Sequence, residues 1–266
     1  MYNKVFTKLL WHRRRKHDFG IMAFLRQLKI TTGSTQPRKP SLPSTAVSPT
    51  SPTPPFISMS AVAQATSTEI TLRGSTEIVT EFFGYSINSI LYQRGIYPPE
   101  SFTRVQKYGL PMQVTSDEGL SQYLNQVLSQ LASWLLGGEV QKVVIVICGV
   151  NSGETLERWA FNVETDKALT TGAASTAKKS QKAISNEIQA IIRQITASVT
   201  FLPLLQEPCT FDMLVYTDAQ ASVPQAWEES DPKYISNSTD VKLRSFTTKV
   251  HKVDSMVSYK NDEEEI

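Results

Sequence analysis

Apolar residues recur every three to four positions over residues 178–202, at Ile184, Ile188, Ile191, Ile192, Ile195, Val199 and Leu202. On a helical wheel they share an arc of roughly 100°, so this stretch is expected to be a helix of about five turns with one buried face. Arg193 points away from that stripe, with Gln189, Ala190 and Ala197 on its side. A second helix is expected from Ser75, with Ile78, Val79, Phe82, Phe83, Ile87, Ile90 and Leu91 on its apolar face and Gly95 at its end. A third starts at Ser116 or Asp117, buries Leu120, Tyr123, Leu124, Val127, Leu128, Leu131 and Leu135, and stops at Gly137 and Gly138.

Strand patterns lie between the helices. Residues 140–148 form a continuous β-branched run, the signature of a central strand buried on both faces. Residues 156–165 alternate, with Trp159, Phe161 and Val163 on one side and Arg158, Asn162 and Glu164 on a wet side, as in a hairpin partner. Residues 210–216 make a third strong strand. Residues 102–108 alternate weakly, and 110–114 suit a short edge strand, where Pro111 is tolerated. Residues 168–177 and 218–229 read as loops, and 233–236 and 241–259 alternate like strands interrupted by polar runs. The whole order describes an α+β domain with helices packed on a mostly antiparallel sheet.

Charge divides the chain. Residues 1–58 hold ten Lys and Arg and one acid, whereas the remainder holds 17 basic and 24 acidic residues. The first 30 residues combine bulky apolar side chains with the block Arg13-Arg14-Arg15-Lys16. They suit an unstructured leader, an Arg-rich organellar presequence or a basic address signal. Seven prolines among Ser and Thr follow in residues 31–58, the composition of a disordered linker in which Ser48, Ser51 and Thr53 precede proline. Met59 is an alternative start. The expected organisation is therefore a leader over 1–58, a flexible arm over 59–68, and a domain over 69–260 followed by an acidic tail.

Candidate chemistry is sparse. His251 is the domain's single histidine, because His12 and His17 lie in the leader. No Ser sits in a nucleophile elbow, no His/Cys spacing suits a metal, and Gly149 and Gly153 lack the spacing of a phosphate cradle. Cys148 and Cys209 fall on strands and read as buried free thiols. The expectation is a protein that is not an enzyme, carries no cofactor or metal, and binds neither nucleic acid nor membrane. A sheet edge at 210–216 beside a C-terminal segment able to re-pair suits capture of an extended peptide by strand addition.

Specific stretches then carry a resemblance. ITLRGSTEIVTEFFGYSINSILYQRGIYPPESFTRVQKYGL, ERWAFNVETDK, KSQKAISNEIQAIIRQITASVTFLPLL, YTD, WEES and VKLRSFTTKVHKVDSMVSYK are similar to the HORMA-domain family, in its spindle-assembly-checkpoint branch. The similarity runs from about Glu69 to Lys260. It implies three helices on a sheet and a mobile C-terminal "safety belt" over about 219–266. In the open state the belt fills the sheet edge that ligand would use; in the closed state it crosses over and wraps an extended peptide. The implied partners are the activator of the anaphase-promoting complex, a coiled-coil kinetochore checkpoint receptor, the kinase-like subunit of the mitotic checkpoint complex, an AAA+ remodelling ATPase with its adaptor, and an open–closed self-dimer. The implied location is nucleus, kinetochore and cytoplasm.

By position, Phe211, Leu214 and Tyr216 would face or flank the peptide, and Trp227, Leu243, Phe246, Val250, Met256 and Tyr259 would anchor the belt. Arg193, Gln194 and Phe201 match a dimerisation surface. Ser230, Ser238 and Ser255 are candidate phosphorylation sites, since about −2 of charge inside a packed belt disfavours closure. Another HORMA peptide-binding adaptor, such as a translesion-polymerase accessory subunit or a meiotic axis protein, would use the same belt on other ligands.

Overall fold

The computed structural model describes residues 4–8, 70–166 and 179–261. The linker serines and threonine, Met59, the loop over 168–177 and the acidic tail lie outside the described residues. Three helices, α1 (Leu72–Gln93), α2 (Glu118–Leu136) and α3 (Gln181–Ala197), pack on one face of a seven-stranded sheet. The strands are β1 (Lys4–Lys8), β4 (Val140–Gly149), β5 (Thr155–Thr165), β6 (Cys209–Thr217), β7 (Trp227–Glu229), β8 (Ser238–Thr247) and β9 (His251–Lys260). Their order is β7-β1-β6-β4-β5-β9-β8, and every neighbouring pair is antiparallel. A separate hairpin joins β2 (Phe102–Lys107) to β3 (Leu110–Thr115). Its two-residue turn places Tyr108 and Gly109 at φ 52° and 68°, the positive-φ pair of a type I′ turn.

α1 is capped by Thr71, whose hydroxyl accepts from the Gly74 amide, not by Ser75 as the sequence suggests. Ser75 lies one turn in, fully buried, where its hydroxyl meets the belt. Asp117 caps α2 by accepting from the Leu120 amide, and Ser180 caps α3 by accepting from the Ala183 amide. The isoleucine stripe of α3 is buried as expected, but Val199 is 42% exposed. The chain tightens into a 3₁₀ turn at Ser198–Thr200, which shifts Val199 out of phase with the wheel while Leu202 still reaches the core.

Trp159, Phe161 and Val163 point from β5 into the helix-facing core, where Phe161 packs edge-on against Phe82 and Phe83. The expected wet side of β5 is not wet throughout, because Arg158 and Ala160 are buried. β5 lies between β4 and β9, and the outer sheet face carries its own apolar cluster of Val5, Val144, Val146, Ala160, Leu214 and Tyr216. Inside, Glu157 and Arg94 form a nearly solvent-free ion pair at 2.5 Å. The same guanidinium donates to the Pro203 carbonyl, and Trp159 Nε1 donates to the other Glu157 oxygen, so the end of α1, β5 and the chain after α3 converge there.

The largest departure from the sequence reading is β1. Lys4–Lys8 is not unstructured leader: it is an interior strand of the sheet and belongs to the same compact unit as the domain.

Candidate peptide-binding site

β6 owes its place in the sheet to alternation along its nine residues. Phe211, Met213 and Val215 enter the helix-facing core, while Leu214 and Tyr216 enter the outer cluster. Its inner edge pairs with β4 from Cys209 to Thr217. Its outer edge pairs with β1, placing Lys4, Val5 and Phe6 opposite Thr217, Tyr216 and Val215. On the far side of β1 lies β7, which places Glu229, Glu228 and Trp227 opposite Phe6, Thr7 and Lys8. The Ser230 amide extends that ladder by donating to the Val5 carbonyl at 2.9 Å. An extended segment is thus hydrogen-bonded along both edges, and Val5, Phe6 and Thr7 are each only 7% exposed.

The slot is closed by the chain that follows β6. The Asp218 amide donates to the Glu139 carbonyl, and the Asp218 carboxylate accepts from the Gln141 side chain. Trp227 packs edge-on against Trp134 at 4.9 Å, and the Trp134 indole donates to the Ser222 carbonyl. After β7 the chain reaches Tyr234, whose ring covers the Arg158 guanidinium on the outer sheet face at 4.7 Å. Arg158 also donates to the Tyr216 hydroxyl at 3.3 Å. The chain then enters β8 and β9 at the opposite edge of the sheet, where β9 pairs with β5 from His251 to Thr165 through Tyr259 to Glu157. Residues 218–237 are therefore a strap. It leaves β6, passes outside β1, and crosses to the β5 side.

The belt hairpin is held by the helices it crosses. Gln194 Oε1 accepts from the Arg244 amide at 2.6 Å, at the irregularity between Lys242 and Ser245 in the β8 ladder. Glu187 accepts from the Thr247 amide, and Lys179, paired with Glu187 at 2.6 Å, donates to the Thr247 carbonyl. His251 is fully buried; its Nδ1 is hydrogen-bonded with the Ser75 hydroxyl at 2.6 Å and its Nε2 faces the Leu135 carbonyl at 3.4 Å. Burial lowers its pKa to about 4, so the ring is neutral near pH 7.

These placements sort the expected site residues. Leu214 and Tyr216 lie in the same outer cluster as Val5, whereas Phe211 shares the helix-facing core with Phe6 and packs against Tyr97 and Tyr123. Trp227, Leu243, Phe246 and Val250 are buried belt residues, Tyr259 packs against the inner core, and Met256 packs against the outer cluster. Arg193 is exposed, and Phe201, 41% exposed, reaches Tyr259 at 6.5 Å. Gln194 belongs to the belt latch. Ser238 is exposed and Ser230 half-buried, whereas Ser255 is buried and its hydroxyl has no hydrogen-bond partner. Cys148 and Cys209 are free thiols; burial raises both, Cys209 to about 12, which removes thiolate character near neutral pH. Among the described residues, no group of three or more His, Cys, Asp or Glu is placed to hold a metal.

Val5, Phe6 and Thr7 were not singled out by the sequence. The alternation in Lys-Val-Phe-Thr-Lys is the available signal, and five residues are too few for periodicity to distinguish a strand from a leader.

The chain matches the HORMA domain over residues 75–251. It is 64% identical to the mitotic spindle assembly checkpoint protein MAD2A of Dictyostelium discoideum over 198 residues, covering 74% of this chain and 97% of that relative. It is 61% identical to the human protein of the same name over 191 residues, covering 72% and 93%. A chain of the crystal structure of a mitotic checkpoint complex superposes with TM-score 0.64 at 46% identity, covering 71% of this chain and 99% of that one.

Proposed function

The chain belongs to the HORMA-domain family, in its branch of mitotic spindle checkpoint proteins, and from that premise we propose that it holds back anaphase by entrapping extended segments of its partners in the β6 slot. The observation that carries this reading is the path of residues 218–237 outside the strand on β6, with β9 docked at the far edge on β5. That path agrees with what the resemblance implies for a closed belt. The ligand's main chain supplies ladder bonds to β6 and β7, and its alternating side chains enter the two pockets that Val5 and Phe6 occupy.

The partners proposed are the anaphase-promoting-complex activator and the coiled-coil kinetochore receptor as slot ligands. The kinase-like subunit of the checkpoint complex assembles with the activator-bound form. An AAA+ ATPase with its adaptor reopens the belt, and an open copy docks on a closed copy through the exposed face around Arg193. Action at kinetochores, in the nucleus and in the cytoplasm follows from those partners. Exchange is slow, because a bound strand leaves only when the strap or the β9–β5 ladder opens, a local unfolding event.

The test is fluorescence anisotropy with a labelled peptide from the activator, using the Val5→Asp, Phe6→Asp chain to empty the slot. Saturable binding that is lost on Trp227→Ala, Tyr234→Ala supports the reading. No binding by a folded, emptied chain refutes it.

A further inference from the structure

We propose that Lys4–Lys8 is a built-in ligand: the chain closes its belt on its own N-terminus, and partner peptides must displace it. This rests on the reading of the β6 edge as a peptide slot, and goes beyond it by naming a competitor that the chain itself carries.

Position is the first argument. β1 does not merely cover an open edge; β7 pairs with its other side, so the strap encloses it. Side-chain fit is the second. Val5 joins Val144, Val146, Ala160, Leu214 and Tyr216 on the outer face. Phe6 enters the helix-facing core, and the Thr7 hydroxyl donates to Asp212 at 3.5 Å. Both faces of the strand are thus read, as an extended ligand requires. Charge is the third. β7 sets Glu228 and Glu229 opposite Thr7 and Phe6, within a segment that has lysine at each end. The leader that carries this segment holds ten basic residues and one acid, whereas the rest of the chain is net acidic.

Connectivity makes the arrangement possible. About 60 residues separate Lys8 from Ile70, a contour of roughly 200 Å, far more than a small domain needs for its own N-terminus to reach its slot. A tethered segment at an effective concentration on the order of 1 mM outcompetes free peptide unless the latter binds much more tightly. If its intrinsic dissociation constant is about 10 μM, the slot is emptied only about one part in 10² of the time, and partner affinity falls about 10²-fold. A chain starting at Met59 would lack the segment. The start site would therefore set whether the protein is self-liganded or available.

The experiment titrates two labelled probes, a peptide of residues 1–11 and the activator peptide, against the full chain and against its Val5→Asp, Phe6→Asp variant. Both probes are expected to bind the variant, and both to bind the unaltered chain at least 10-fold more weakly. Equal affinities for the two chains overturn the proposal. So does failure of the 1–11 peptide to bind a variant that binds the activator peptide, an outcome that leaves peptide entrapment standing. If neither probe binds the variant, the slot reading itself falls. Should circular dichroism show the double variant unfolded, Phe6→Ala is read the same way.

Discussion

Replacing His251 with glutamine should flatten the acid side of the stability curve. His251 sits at the start of β9, fully buried between α1 and α2, and couples the belt to both through the Ser75 hydroxyl and the Leu135 carbonyl. Burial depresses its pKa from 6.5 to about 4. The folded value lies below the unfolded one, so the stability conferred by a neutral ring is fully present above pH ~6.5 and is lost as the pH falls toward 4. The full window corresponds to about 3 kcal/mol, and at pH 5 about 2 kcal/mol of it is gone. Glu157 pulls the other way, because burial raises its pKa in spite of the opposing Arg94 charge and so favours the folded state on protonation. The informative quantity is therefore the difference between wild type and His251→Gln, in urea unfolding midpoints from pH 7 to pH 5. Glutamine retains hydrogen-bonding groups but does not titrate. Wild type should lose about 2 kcal/mol more than the variant over that range. Parallel curves would refute a buried neutral histidine at the start of β9.

Three further outcomes follow from the packing. Arg94→Ala strands Glu157 in a nearly solvent-free site and should cost about 3–5 kcal/mol by denaturant titration; a loss below about 1 kcal/mol would contradict the ion pair's burial. Ser255→Asp places a carboxylate in the layer between β9 and the helices, where the native hydroxyl has no hydrogen-bond partner. It should weaken peptide capture at least about 10-fold while far-UV circular dichroism still reports a folded domain, and undiminished affinity would reject this. Arg193→Ala removes an exposed side chain, so stability should change by no more than about 0.5 kcal/mol and peptide affinity not at all. Self-association should disappear in light scattering, and a persisting dimer would count against this face.

Local pattern carried the helices and the central strands. The isoleucine stripe of α3, the apolar faces of α1 and α2, and the β-branched run of β4 each specify burial within one element, and each element is present. Of the residues that the resemblance names after β6, the structure buries Trp227, Leu243, Phe246 and Val250. What was not legible depends on partners remote in sequence. β1 becomes a strand because β6 and β7 lie beside it, and Thr7 meets Asp212 across 205 residues of separation. Arg158 reads as a wet residue from alternation alone; its burial comes from Tyr234, which crosses the sheet from the strap. Ser75 looks like a helix cap because its position in the chain is right. Thr71 takes that role, and Ser75 instead anchors His251 from the other end of the domain. Val199 fits the wheel until the helix tightens at Ser198.

The proposed peptide slot is the β6 edge under the strap, filled by the chain's own N-terminus. Hydrogen exchange at the Val215 and Thr217 amides, which face β1, tests this. In the unaltered chain this edge should be protected. In the Val5→Asp, Phe6→Asp chain exchange should accelerate, and saturating activator peptide should restore protection while the β4–β5 ladder stays protected throughout. Exchange at these β6 amides that is the same in both chains, with and without peptide, would rule out a slot that the N-terminus fills.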